Sequence, residues 1–144
     1  MLSWLGMRFV SYLLARLSAG DLRVLLRFDA PDVEMTFPGN SSFAGVVRGR
    51  DAHERWLRRF VALGIQISAD EVVLGGFPSN QTLCVRGTDS MWSGGELVYT
   101  NRYVIWGHLK WGRIKRYEVY EDTQQTAKFD AWLAANKPAL AVAA

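Results

Sequence analysis

Between Gly95 and Asp122 the chain reads Gly-Glu-Leu-Val-Tyr-Thr-Asn-Arg-Tyr-Val-Ile-Trp and then, past Trp111-Gly112, Arg-Ile-Lys-Arg-Tyr-Glu-Val-Tyr-Glu-Asp. Both segments are rich in Val, Ile, Tyr and Trp, alternate in character, and meet at a glycine that can take the positive φ of a hairpin. They predict two long antiparallel strands joined by a tight turn. Strands of this length bend, and a bent sheet has a hollow side. With helical segments before it and one after it, the hollow becomes a covered pocket whose lining is where chemistry is to be sought.

The rest of the chain supplies those helices. Leu2, Leu5, Phe9, Leu13 and Leu17 repeat at helical spacing with Tyr12 beside them, predicting an amphipathic packing helix that breaks at Ser18-Ala19-Gly20. Arg8 and Arg16 interrupt the apolar run, so no stretch approaches the roughly 20 residues of a spanning helix, and neither a leader nor a membrane association is expected. A short second helix, capped by Asp21, carries Leu22, Leu25, Leu26 and Phe28 inward. Asp29-Ala30-Pro31-Asp32 reads as a turn, Val33–Phe37 as a first strand, and Pro38-Gly39-Asn40-Ser41-Ser42 as a loop bordering a pocket mouth. A third helix opens at Gly49-Arg50-Asp51 and ends at Gly64, with Ala52, His53, Trp56, Leu57 and Phe60 on its apolar side.

Strands are then expected over 65–77 and 81–92, the second turning at Ser93-Gly94-Gly95 into the hairpin. Residues 123–136 form a last amphipathic helix carrying Ala127, Phe129, Trp132 and Leu133; Asp122-Thr123 caps it, Lys137-Pro138 stops it, and an Ala-rich tail frays. The order of helix, helix, strand, helix, four strands and helix is an α+β arrangement with helices gathered on one face.

With 144 residues, 49% of them hydrophobic, there is material for one core, so residues 1–144 are read as a single domain. A net charge of +3 is too weak to argue for nucleic acid. The densest basic cluster, Arg55, Arg58 and Arg59, reads as a solvated helix face. The single Cys84 excludes an internal disulfide, reads as a buried inert thiol, and fits a cytoplasmic protein. Two isolated histidines and one cysteine lack metal-ligand spacing, and neither Gly75-Gly76 nor Gly94-Gly95 opens a phosphate-binding helix, so no metal or cofactor is expected.

That order of elements, together with Ala-Gly-Asp at 19–21, Gly-Arg-Asp-Ala at 49–52, Tyr-x-Asn-x-Tyr at 99–103 and Gly-Arg-Ile through Tyr-Glu-Asp-Thr at 112–123, resembles the nuclear transport factor 2-like superfamily. Within it the resemblance is to SnoaL-like and ketosteroid-isomerase-like proteins, over about residues 8–133. It implies a cone: a curved, mostly antiparallel mixed sheet wrapped by N-terminal helices, with a C-terminal helix. It also implies a scaffold shared by isomerases, dehydratases, polyketide cyclases, epoxide hydrolases and non-catalytic proteins. A ketosteroid-isomerase-like site would place its tyrosine at Leu13, its base at Phe37 and its second acid at Asn101. The base is therefore missing, while the Asn101 amide can donate to a developing oxyanion. A limonene-epoxide-hydrolase-like site would fall on Met35, Phe37, Gly87, Asp89 and Val119. Only Asp89 fits, Arg86 standing one residue out of phase.

If Asn101 points into the cone, alternation takes Tyr103 and Ile105 with it, Tyr117, Val119 and Glu121 on the last strand, and Val85, Gly87, Asp89 and Met91 on the one before the hairpin. With Met35, Phe37 and Trp56 these form an apolar, aromatic lining with a few polar points, suited to a flat hydrophobic ligand bearing one or two oxygens. The expected catalytic set is Asp89 and His53 as an acid–base pair, with Asn101 and Tyr103 or Tyr117 as donors. Burial among Met, Phe and Trp would push the Asp89 carboxyl toward the range of a general acid or base. Each has a structural alternative: Asp89 at the rim, His53 as a packing residue, Glu121 ending its strand, Tyr103 and Tyr117 as core. Facing out, Val104, Trp106 and Tyr120 flanked by Arg102, Arg116 and Glu118 have the composition of a homodimer interface. Two functions follow: a cofactor-free isomerase, dehydratase or cyclase acting on a small hydrophobic molecule, or a non-catalytic ligand-binding or association module on the same fold.

Overall fold

The computed structural model describes residues 2–142. Its elements are helix α1 (Leu2–Ser18), helix α2 (Arg23–Leu26), strand β1 (Asp29–Phe37), strand β2 (Gly45–Arg48), helix α3 (Arg50–Ala62), strands β3 (Gln66–Phe77), β4 (Asn80–Ser93), β5 (Glu96–Lys110) and β6 (Arg113–Glu121), helix α4 (Thr123–Asn136), and a 3₁₀ turn at Pro138–Leu140. The strands make one sheet in the order β2-β1-β6-β5-β4-β3. All neighbours run antiparallel except β1 and β6, which are parallel, so the sheet is mixed. The expected α+β cone is thus the observed architecture.

Curvature comes from the long central strands. The ladders slip between Ala69 and Glu71, Met91 and Trp92, and His108 and Leu109, and an extra residue at each point bends and coils the strand. At the β5–β6 turn both Trp111 (φ 52°) and Gly112 (φ 73°) are left-handed, the two-residue geometry whose twist matches the flanking strands. The glycine alone was expected to supply it. Trp111 adopts it too, its N–H donating to the Pro78 carbonyl at 2.6 Å and tying this tip to the β3–β4 tip.

The structure corrects several expectations. Residues 29–32 are not a free turn but the start of β1, where Asp29 pairs with Ile114 before the register shifts ahead of Glu34. Strand β2, antiparallel to β1 through Met35 and Val47, was not expected: four mostly exposed residues carry no alternation to read. On α1 the buried stripe is Val10, Leu13, Leu14 and Leu17, whereas Leu5, Phe9 and Tyr12 are exposed. Gly6 lies on the buried side of the helix, where a Cβ would meet Val72 of β3 at an ordinary contact distance of 3.7 Å, so the helix approaches the sheet along 6-10-13-14-17. The side chain of Leu2, expected on this face, lies outside the described residues. On α4, Thr126, Phe129 and Leu133 are buried and Ala127 is not. Asp122 caps the helix as expected, accepting from the Gln124 N–H at 2.9 Å.

Arg59 departs most from the solvated face read for its cluster. It is buried, donating to the Ser42 carbonyl (2.9 Å), the Ser42 hydroxyl (2.6 Å) and the Leu140 carbonyl (2.8 Å), with its guanidinium 4.2 Å from the Phe43 ring centre. Asp130 of α4 closes the network on the Ser42 N–H and hydroxyl at 2.6 Å each. The segment after α4 is therefore tied to α3 rather than frayed, and Leu140 packs on the core.

Candidate functional site

A cavity of about 150 Å³ opens on the concave side of the sheet, under α1 and α3. Its walls are apolar apart from a few points, which come from β4, β5 and β6 because period-two alternation turns alternate side chains inward. Phe37, Trp56, Tyr103, Tyr117, Val119 and Glu121 line it, as does Asp89. Phe37 and Trp56 face each other with ring centres 6.0 Å apart. Met35 and Met91, expected in the lining, are instead packed into the core, fully buried or nearly so. Tyr103 lines the cavity, but its hydroxyl donates across Gly87 to the Ser68 carbonyl at 2.8 Å.

The expected pairing of Asp89 with His53 does not form. His53 is fully buried, and both of its ring nitrogens are taken, Nδ1 at 2.6 Å from Asp29 Oδ2 and Nε2 at 2.5 Å from the Tyr117 hydroxyl. Asp89 instead faces Glu121, one strand beyond the Asn101 with which it pairs across β4 and β5. Burial pushes the Asp89 carboxyl up to about 8, and the neighbouring Glu121 carboxylate adds to the shift. Glu121 is raised too, first by burial. This is opposed by the hydrogen bonds it receives from Tyr99 and Thr126 and by Asp89. The Tyr99 hydroxyl donates to Glu121 Oε2 at 3.0 Å, and the Thr126 hydroxyl lies 3.2 Å from Oε1. Three groups favour the charged form of Glu121, whereas burial, the Glu121 charge and a hydrogen bond with Glu121 all favour the protonated form of Asp89, so the two environments push Asp89 toward the acid and Glu121 toward the base of the pair.

Asn101 is not free to serve as an oxyanion donor. Its Nδ2 donates to the Tyr99 hydroxyl (3.2 Å) and the Asp122 carbonyl (2.9 Å), and its Oδ1 accepts from the backbone N–H groups of Arg102 (2.9 Å) and Asp122 (3.3 Å). It positions Tyr99 behind Glu121 and locks β5 to the β6–α4 junction. Tyr99 itself was missed as a site residue, though it stands two residues before Asn101 and shares its face. Asp29 was missed because Pro31 and Asp32 read as a turn, and the register shift between Asp29 and Glu34 interrupts the alternation of Val33, Met35 and Phe37 before it reaches residue 29. Its Oδ1 and that of Asp89 are buried without a hydrogen-bond partner.

Among the described residues, no group of three or more His, Cys, Asp or Glu could hold a metal ion, and no helix is long and apolar enough to cross a membrane. On the convex face Trp106 and Tyr120 are each 48% exposed, with Val104 paired to Tyr120 across the strands.

This architecture is shared with solved structures. An NTF2-like protein of unknown function from Burkholderia pseudomallei superposes with a TM-score of 0.70 at 22% identity, covering 85% of this chain and 95% of that one. PrhC from Penicillium brasilianum gives 0.73 at 11% identity over 92% and 90%. TerC, co-crystallised with polyporic acid, gives 0.68 at 21% over 84% and 93%. No curated protein matches by sequence. The SnoaL-like domain family matches residues 10–117, three quarters of the length and every strand that builds the cavity at least in part. The chain thus belongs to the SnoaL-like domain family, and it has the fold of the NTF2-like proteins.

Proposed function

We propose that the protein is a cofactor-free acid–base enzyme acting on a small hydrophobic molecule, of isomerase, dehydratase or polyketide-cyclase type. The carrying observation is the Asp89–Glu121 pair, two buried carboxyl groups facing each other at the wall of an apolar cavity, where burial and like charge favour one shared proton. All three reaction types begin by moving a proton beside a carbonyl. Glu121, as carboxylate, takes the proton from carbon, and Asp89 gives its own to the carbonyl oxygen. The product is an enol, and the pair resets when the proton returns to another carbon or leaves with a departing oxygen. An acid near pH 8 beside a base is well placed for transfer at neutral pH. That TerC, a protein of the same fold, is co-crystallised with polyporic acid supports a cone that accepts organic ligands.

The volume supports a one-ring substrate or one that protrudes, since about 150 Å³ suffices for a benzene-sized guest. Proton exchange in 3-cyclohexen-1-one, followed by NMR in deuterium oxide, tests the reading. Wild-type protein should accelerate α-exchange and conjugation, and Asp89→Asn and Glu121→Gln should each abolish the acceleration. Saturable binding without acceleration would favour the second reading, a non-catalytic binding module. The commitment of both His53 nitrogens and of the whole Asn101 amide within the protein supports that alternative.

We also read the convex patch of Val104, Trp106 and Tyr120 as a homodimer interface, an aromatic centre with a charged rim. Sedimentation at micromolar concentration should give twice the chain mass, and Trp106→Ala should return it to one. The protein is read as cytoplasmic, with no nucleic-acid or membrane partner; with Arg59 buried, Arg55 and Arg58 are left without the third arginine of a surface cluster.

A further inference from the structure

A second polar network reaches the cavity wall, and the acid pair does not involve it. Asp29 and the His53 side chain are at most 1% exposed, and the chain Asp29 Oδ2, His53 Nδ1, His53 Nε2, Tyr117 hydroxyl is continuous at 2.6 and 2.5 Å. Only its last member, Tyr117, lines the cavity. The direction of the hydrogen bonds follows from chemistry. A carboxylate can only accept, so Nδ1 carries the proton; in the neutral ring Nε2 then accepts, and the Tyr117 O–H must donate to it. In that tautomer the tyrosine's hydrogen is turned inward, which leaves the oxygen's lone pairs free on a residue that lines the cavity.

We propose that Tyr117 is a second ligand station, a hydroxyl acceptor that binds the O–H of a phenol or enol and can take its proton through His53. It extends the acid–base reading above and rests on it for the cavity being a ligand site. In the transfer, the ligand O–H bond breaks as its proton moves to the Tyr117 oxygen, while the Tyr117 proton moves to His53 Nε2. The ligand is left as an oxyanion and His53 as an imidazolium against the Asp29 carboxylate; no tyrosinate forms. Burial holds the Tyr117 phenol far above its ordinary range, consistent with a tyrosine that passes protons on without ionising. Asp29 and His53 act here as positioning residues. Tyr117 and Glu121 are four residues apart on one face of β6, roughly 13 Å between their backbone positions along the strand, so they stand toward different ends of the lining. The two stations therefore sort ligands by where their hydroxyl lies.

Fluorine NMR titrations with 4-fluorophenol and fluorobenzene, which differ only in the hydroxyl, test this. Tyr117→Phe should lower the affinity of the phenol relative to fluorobenzene by about three- to tenfold, the range of one hydrogen bond, while Glu121→Gln leaves that ratio within about twofold. A ratio insensitive to Tyr117→Phe, or one lost in Glu121→Gln, overturns the station while leaving the acid-pair reading standing. Failure of wild-type protein to bind either compound would remove the ligand pocket and both readings with it. Nitrogen-15 NMR of His53 in the unliganded wild-type protein decides the orientation even if the variant does not fold: Nδ1–H with an acceptor Nε2 is expected, and a proton on Nε2 overturns it.

Discussion

Replacing Asp89 by Asn should make the protein less sensitive to pH, in a direction opposite to that of ordinary buried salt-bridged acids. In the folded chain the Asp89 carboxyl titrates near 8, whereas in the unfolded chain it does so near 3.8. Over that interval the folded state keeps a proton that the unfolded state has released. Stability is therefore fully present below about pH 4 and falls as pH rises, by about 1.4 kcal/mol per unit. Carried from pH 4 to pH 8, the loss is of the order of 5 kcal/mol, a large share of the roughly 5–15 kcal/mol that holds a typical domain together. Asn has the shape of the protonated acid, can still donate to Glu121, and cannot ionise. Urea unfolding of wild-type and Asp89→Asn proteins, followed by fluorescence of the six tryptophans, reads the difference directly. The variant's midpoint should lie near wild type at pH 4 and rise steadily above it up to pH 8. With a slope of about 1–3 kcal/mol per molar urea, the gap should widen by roughly 0.5–1.4 M per pH unit. A constant gap from pH 5 to pH 8 would refute the shared proton, and with it the assignment of Asp89 as the acid.

Arg59→Ala should cost about 2–4 kcal/mol in urea or thermal unfolding, because it strips the Ser42 and Leu140 carbonyls of a charged donor in a buried setting; a loss under 0.5 kcal/mol would return Arg59 to the solvated face. Asp122→Ala removes the cap on Gln124 and should cost about 0.5–2 kcal/mol, visible as reduced amide-exchange protection confined to the first turn of α4. Trp111→Asn should raise stability by about 1 kcal/mol, since it relieves a bulky left-handed residue that is 68% exposed and supplies the Asn-Gly pair this turn favours.

The hairpin and the inward parity of β4, β5 and β6 were legible because alternation is a one-strand property: each residue's face follows from its neighbour's. What that parity could not give was contact between strands. Asp89 and Glu121 each read as inward, but their meeting depends on the register of two ladders with β5 between them and on the bulges that tune it. The same gap hid the partner of His53. The face of α3 was right, yet Asp29 lay in a segment whose Pro31 and Asp32 spoke for a turn. Arg59 failed for another reason: three arginines on one helix are ordinarily a wet surface, and only the loop at Ser42 and the chain beyond α4, folding over it from both sides, make it interior. On α1 hydrophobicity ran around the helix, so its spacing alone did not single out the side, Val10, Leu13, Leu14 and Leu17, that meets the sheet.

The crossing of Tyr103 over Gly87 bears on how this scaffold can change. An arginine two residues ahead of the β4 aspartate, as a limonene-epoxide-hydrolase-like site requires, would stand at residue 87. There even a Cβ would lie 1.9 Å from the Ser68 carbonyl oxygen and 2.6 Å from the Tyr103 hydroxyl. No single codon change reaches that chemistry from here. Tyr103 would first have to shrink and β3 to move outward, both neutral at best until the arginine arrives. Position 87 is therefore closed to a side chain until its two neighbours give way, and a directed-evolution library that samples it alone should return destabilised protein.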